Sequence, residues 1–413
     1  MAVVPENGRD LISWKEIAEY LRVTVRAAQK WERERGLPVR RLPGKRSMVS
    51  ASRDELNSWR KLPDRPGDTA RRARHWRGLY LVILGVSLFA AAACLFFAIR
   101  RSAPVAFRVD QGSLVVLDEH GHELWQRVFD DPLLTEAYAT DAYYGHRRFW
   151  VGDLDGDGHK EVLFVVRTLH EAWGADYLAC FSDRGVERWR FVPGRKISSA
   201  SETFANRYVV RDFAVAPLGH GGAPEILVTS SQIPYYPDQV ALLSSAGKIL
   251  GEYWHSGNLE YLVVSGRDIY LGGISNGYRA ATLVVLDADH ISGVSTEEDA
   301  AHQLLGFAPA HEKARILFAK SCISRKFEPY NRVTNLVVDR NAVTVLVSER
   351  PPPTPATVWY HFTPDLKLSH FEFTDLFRAY HAELRARHEL DHDLTPGEEA
   401  RLQAIRVLSN QFK

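Results

Sequence analysis

The sequence predicts a multidomain chain: a small α-helical winged helix-turn-helix unit, one transmembrane helix, and an all-β propeller of about five blades followed by C-terminal helices. Three observations carry this reading. The 413 residues hold 52 Lys and Arg against 51 Asp and Glu, yet residues 1–78 alone hold nineteen basic and ten acidic side chains. One end is therefore suited to a polyanion while the rest is net negative. A single run, residues 79–99, carries no charge over a bilayer's length, and beyond it one hairpin phrase recurs. With 45% hydrophobic and 25% charged residues, disordered, collagen-like and disulfide-scaffold classes are excluded.

The first unit, 1–61, starts with a capping pattern. Ser13 stands three residues before Glu16, so a helix begins at Trp14 with Ile17, Ala18 and Leu21 on one face. Arg22-Val23 makes a short turn, and Thr24 caps a second helix running to about Arg33. Val25, Ala28 and Trp31 are expected inward, leaving Arg26, Gln29, Lys30 and Arg33 for a DNA major groove. Two short extended runs around Pro43-Gly44 form a wing carrying Arg40, Arg41, Lys45 and Arg46, and Ser52 with Glu55 suggests another capping box. The stretch SWKEIAEYLRVTVRAAQKWERERGLPVRRLPGKRSMVSASRDELNSW resembles the winged helix-turn-helix of the MerR and excisionase superfamily over residues 11–60. The resemblance implies that Arg26, Gln29 and Lys30 face bases or phosphates of double-stranded DNA, with the wing along the backbone or minor groove. It departs from the family at Arg22, where a glycine is common. A three-helix protein-interaction domain with a solvated basic face is the alternative.

Residues 62–78 are polar and rich in Pro and Arg, a tether with a membrane-proximal basic cluster. The run 79–99 has the roughly twenty residues that cross about 30 Å of hydrocarbon as a helix. Arg71, Arg72, Arg74 and Arg77 before it predict a single-pass protein of the bacterial plasma (inner) membrane, N-terminus cytoplasmic and C-terminal domain extracytoplasmic. A cleavable signal peptide would instead start near residue 1.

In 102–374 the phrase appears as LVVLDEHGHELWQRVF (114–129), YLACFSDRGVERWRFV (177–192) and VALLSSAGKILGEYWH (240–255). Each is a strand, a turn with Gly121, Gly185 or Gly247, and a second strand with Trp125, Trp189 or Tyr253-Trp254. Weaker copies lie at 282–294 and 357–373. Such units bury both faces only when stacked, which favours a propeller over a β-sandwich; four or six blades stay open. The first hairpin, 105–129, lacks a preceding pair and is expected to complete a blade with the last strands.

One repeat contains DLDGDGHKE. Asp153, Asp155 and Asp157 alternate, followed by the His159 carbonyl and Glu161, an arrangement that wraps oxygen around one hard cation. Its flanks are strands, so it resembles the calcium loop of integrin-type FG-GAP (VCBS) repeats. That resemblance implies one structural Ca2+ held by the side chains of Asp153, Asp155, Asp157 and Glu161 and the His159 carbonyl. In the next copy Pro217, Gly219 and Gly221 replace the aspartates while Glu225 matches Glu161.

His388-Glu389-Leu390-Asp391-His392 fits the zinc-protease pattern HExxH, but charged flanks, Pro396 close behind and no third ligand at a known spacing argue against it. Residues 375–413 read as two amphipathic helices, and no catalytic constellation emerges. Cys94 lies in the apolar run, leaving Cys180 and Cys322 as the pair able to form a disulfide. The expected function is a membrane-anchored transcription regulator, a homodimer being compatible with it, whose outer domain senses an unknown protein or glycan. The alternative is an envelope adhesion or scaffold protein. Neither reading makes it an enzyme.

Overall fold

Oxygen side chains open the first two helices. Ser13 Oγ accepts from the Glu16 N–H at 3.2 Å to start α1 (Trp14–Leu21), and Thr24 Oγ1 accepts from Ala27 at 3.2 Å to start α2 (Val25–Arg35). The Glu16 carboxylate does not close the expected capping box on Ser13; it accepts from the Ile12 N–H at 2.9 Å, one residue earlier. Arg22 ends α1 in the left-handed region (φ 56°), the conformation for which a glycine is usual, and its N–H closes back on Ala18 and Glu19. The hairpin β1 (Arg40–Leu42) and β2 (Met48–Ser50) precedes α3 (Arg53–Arg60). Ser52 makes no side-chain cap there, and the Glu55 carboxylate ion-pairs with Arg40. Ile17, Ala18, Leu21, Ala28, Leu37, Val49 and Leu56 form the core. Val25, expected inward, is exposed, since the helix turns its Ala28 and Trp31 face to that core.

These features belong to a computed structural model that describes residues 10–42, 48–62, 82–90, 103–143, 145–168, 176–219, 222–234, 236–350 and 356–408. The chain divides into two compact units, Met1–Arg101 and Ser102–Lys413. Residues 82–90 are helical and exposed; the remainder of the expected span lies outside the described residues, as do Lys45, Arg46 and Cys94. Among the described residues no helix is long and apolar enough to cross a membrane.

The second unit is largely β, and its described residues form five larger sheets in chain order, antiparallel except for one parallel pair in the third. The first has three strands (Ala106–Asp110, Ser113–Leu117, Glu123–Arg127), the second four (from Phe149–Gly152 to Glu187–Phe191). The third begins at Tyr208–Ala216, the fourth at Gly257–Ser265 and the fifth at Arg332–Val338. Alternation explains the stacking. In the second sheet Val162, Phe164 and Val166 pack with Leu114 and Val116 of the first, while Leu163 and Val165 pack with Ile226 and Val228 of the third. Leu227 and Val240 then meet Val284 and Leu286 of the fourth, whose Leu283 and Val285 meet Val345 and Tyr360 of the fifth. Consecutive sheets thus share four dry cores in a propeller-like order.

The repeat phrase is also visible as a defect. A β-bulge recurs at the end of the strand before the turn, at Val116/Leu117, Cys180/Phe181, Leu242/Leu243, Val285/Leu286 and His361/Phe362. Three details differ from expectation. The C-terminal strand Arg406–Leu408 pairs with Glu312–Leu317 of the fourth sheet and does not complete the first. The copy at 282–294 is not a hairpin: a 3-10 turn at Ala288–His290 sends Ser292–Val294 to pair in parallel with Ile249–His255 of the third sheet. Cys180 and Cys322 are free thiols in different cores, and no disulfide joins them. Helices Asp375–Ala386 and Pro396–Gln403 follow the fifth sheet and pack on it through Phe377, Tyr380, Leu384 and Leu402.

Candidate functional site

On the first unit, Arg26, Lys30 and Arg33 project from α2 into solvent, Gln29 is half-buried beside them, and Arg40 and Arg41 are exposed on β1. The turn through Arg22 and Val23 fixes α2 against α1, and Trp31 and Trp59 hold α2 to α3 with ring centroids 5.7 Å apart. The basic face is partly neutralised from within: Lys30 lies 3.8 Å from Glu34, Arg41 lies 3.2 Å from Glu32, and Arg40 pairs with Glu55. Among the described residues Arg26 and Arg33 form no ion pair.

In the second unit the acidic loop joins the first two strands of the second sheet. Asp153 Oδ1 accepts from Gly156 N–H at 2.7 Å and Oδ2 from Gly158 N–H at 3.0 Å, so both glycines, at φ 81° and 84°, curl around this one carboxylate. Asp157 Oδ1 accepts from His159 N–H at 2.7 Å. Carboxylate oxygens of Asp153, Asp155 and Glu161 lie within 4.8 Å of one another; Asp157 stands outside that triplet. Glu161 is buried, and burial raises its pKa against the opposing pull of the Leu154 N–H and Arg188. Arg188, from the last strand of the same sheet, reaches over the loop to Asp155 (2.6 Å), Glu161 (3.1 Å) and Asp157 (3.6 Å). The sequence reading missed this cation because it lies twenty-seven residues beyond Glu161.

The ligand-poor copy clarifies Glu161. Its Oε2 accepts from Leu154 N–H at 2.9 Å, and Glu225 Oε2 accepts from Leu218 N–H at 2.8 Å in the third sheet. The glutamate therefore clamps the loop whether or not aspartates precede it, and its Oε1 faces the Arg188 guanidinium. The donor set is all oxygen and fits Ca2+, with Asp153, Asp155 and Glu161 already converging.

First strands of the third, fourth and fifth sheets line a cavity of about 740 Å3. Arg147 crosses it, binding both Asp212 carboxylate oxygens at 2.9 and 2.6 Å and the Leu262 carbonyl at 2.7 Å. This fork ties the start of the second sheet to the third and fourth. Glu260, Arg267 and Asn335 add polar groups around it, and no sequence motif announced them.

The repeat's glycine and tryptophan also have a joint role. Trp125 Nε1 donates to the Asp183 carbonyl at 3.1 Å, and Trp189 Nε1 donates to the Ser245 carbonyl at 3.0 Å. Each ring lies on the turn glycine of the following sheet: a Cβ on Gly185 would fall 2.7 Å from Trp125, and one on Gly247 would fall 2.5 Å from Trp189.

His388 to His392 form no helix. The preceding helix ends at Ala386, and His388 is left-handed at φ 57°, so the two histidines are not one helical turn apart.

The second unit defines a class: β-sheets packed one on the next in propeller-like order. No known family and no curated protein matches the chain. Solved structures similar to it include BBS1N in complex with ARL6DN, at 12% identity over 67% of this chain and 71% of that one, with a TM-score of 0.34. The Dos1 propeller shares 12% identity over 65% of this chain and 54% of that one, at a TM-score of 0.35. A putative exo-beta-1,3-galactanase from Bifidobacterium bifidum s17 shares 11% over 66% and 85%, at 0.28. The fold assignment rests on the strand pairing and the four inter-sheet cores.

Proposed function

We propose that the chain is a membrane-anchored, one-component transcription regulator. In this reading the first unit is a cytoplasmic winged helix-turn-helix that binds double-stranded DNA, residues 79–99 span the bacterial inner membrane once, and the sheet unit lies outside the cytoplasm. The observation that carries it is α2: a helix set by a short left-handed turn, presenting Arg26, Lys30 and Arg33 on its free face beside the basic strand of a hairpin. Lys45 and Arg46 extend that strand's charge in the sequence. The outer unit is a binding domain and not an enzyme. Its ligand, a protein segment or glycan, is received in the Arg147–Asp212 cavity, whose mixed polar lining suits a hydrogen-bonding partner. One Ca2+ held by Asp153, Asp155, Asp157, Glu161 and the His159 carbonyl stiffens the acidic loop once Arg188 withdraws. Ligand binding acts on DNA by changing the association of two chains, because a single helix transmits little else.

A second reading, an envelope scaffold whose first unit binds protein, is favoured by the internal pairing of Arg40, Arg41 and Lys30 with Glu55, Glu32 and Glu34. Salt titration of residues 1–62 on selected and random duplexes separates the two. Under the regulator reading Arg26→Ala and Gln29→Ala each cost on the order of 1 to 3 kcal/mol at the preferred site and less elsewhere. Arg41→Ala weakens all duplexes alike and lowers the salt slope by about 0.9. Weak, salt-insensitive binding unaffected by the α2 variants would leave the scaffold reading.

A further inference from the structure

The HExxH-like segment has no helical zinc pair, yet one of its histidines meets two other metal-ligating side chains. Cys322 opens the short helix Cys322–Phe327, His381 lies on the helix Asp375–Ala386, and His392 lies in the turn that follows. Cys322 Sγ and one ring nitrogen from each histidine all fall within 4.8 Å of one another. From this geometry we infer that Cys322, His381 and His392 form a Zn2+ site that fastens the C-terminal helices to the fourth and fifth sheets.

Three further features support it. His381 is 4% exposed, and among the described residues its Nε2 has no hydrogen-bond partner, an arrangement that costs free energy unless something accepts its lone pair. His392 Nδ1 is bonded to Asp391 Oδ1 at 2.8 Å, which leaves Nε2 as its metal-binding atom. A carboxylate behind an imidazole is the usual support for a zinc-bound histidine. Glu398 Oε1 accepts from the Cys322 N–H at 2.5 Å, fixing the backbone from which the sulfur projects.

The chemistry selects the ion. One thiolate and two neutral imidazoles form a borderline-soft set that suits Zn2+ and not Ca2+ or Mg2+. With metal–nitrogen and metal–sulfur distances of about 2.1 and 2.3 Å, ligand atoms in a tetrahedron stand about 3.5 Å apart. Closing from 4.8 Å needs movement of about an ångström, and the half-exposed His392 turn can supply it. Binding releases the Cys322 thiol proton to solvent. The fourth position opens into a cavity of about 330 Å3 that Cys322 and His392 line, where water completes the shell. The ion would join segments some seventy residues apart without a disulfide.

Cobalt provides the test because it reports its ligands. Full-length chain, stripped with a chelator and titrated with Co2+, is expected to bind one ion with thiolate-to-metal charge transfer in the near ultraviolet and tetrahedral bands in the visible. Zn2+ should displace it. Cys322→Ser should remove the charge-transfer band, and His392→Asn, at a half-exposed position that leaves the core intact, should abolish stoichiometric binding. Asp391→Asn should weaken binding about tenfold. His388→Asn should bind as the native chain does. Absence of the charge-transfer band from the native chain, its persistence in Cys322→Ser, or equal losses in His388→Asn and His392→Asn would overturn the assignment.

Discussion

Gly247 and Gly121 occupy the same place in two copies of one turn, with φ of 74° and 78°. Each donates its N–H to the residue three before it, Ser244 at 2.9 Å and Asp118 at 3.0 Å. Alanine at either position meets the same backbone strain, about 1 to 2 kcal/mol for a left-handed residue bearing a Cβ. Of the two, only at Gly247 does that Cβ also strike a ring, 2.5 Å from Trp189, whereas a Cβ on Gly121 would meet nothing within 4 Å among the described residues. The displaced indole loses its bond to Ser245, worth about 1 kcal/mol, and overpacking adds roughly 1 to 3 kcal/mol. Gly247→Ala should therefore destabilise the second unit by about 3 to 6 kcal/mol and Gly121→Ala by about 1 to 2. Urea unfolding of the full-length chain, followed by near-ultraviolet circular dichroism, measures both. A cycle with Trp189→Ala should show the two substitutions at the contact costing less together than their sum. Equal losses for the two glycines, or strict additivity in the cycle, would falsify the contact's energetic role.

Two other outcomes follow from the second unit. Calcium should raise its melting temperature, the Asp155→Asn, Asp157→Asn double variant should abolish that increment, and Arg188→Gln should tighten binding by removing the competing cation; an unchanged increment in the double variant places the ion elsewhere. Burial raises the Glu349 carboxyl to about 7 from an ordinary 4.5, even as Ser321 and Asn331 donate to it at 2.8 Å. The folded state thus holds this proton more tightly, so the contribution is complete below pH 4.5 and is lost as pH rises through about 7. Glu349→Gln should flatten stability across that window, and an unaltered pH profile would refute it.

Local features were legible and remote partnerships were not. Ser13 and Thr24 announce their helices because a cap is decided within four residues. Glu16 bonding to Ile12, and Glu55 leaving Ser52 for Arg40, depend on competition between nearby partners that a pattern cannot rank. The sheet repeat was readable from Gly121, Gly185 and Gly247, which share one backbone conformation. That Trp125 belongs with Gly185, sixty residues on, was not, since both members had been seen within their own copies. The acidic loop likewise showed its aspartates but not Arg188, and HELDH drew attention to spacing along the chain while its His392 was meeting a helix and a cysteine from elsewhere. The turn at Ala288–His290, which sends the fourth copy's strand to its neighbour, has no hairpin signal to read.

The contacts between tryptophan and glycine all point the same way. The first sheet grips the second through Trp125, the second grips the third through Trp189, and among the described residues no ring lies on the turn at Gly121. The molecule therefore has a grain. Removing the first sheet would free a turn in the sheet that follows, whereas removing the third would leave Trp125 seated on Gly185. Arg188 and Trp189 are adjacent on one strand, the first reaching back to the acidic loop and the second forward to Gly247. Along this strand the acidic loop of one sheet and the glycine turn of the next are joined like neighbouring shingles, each held down by the one laid before it.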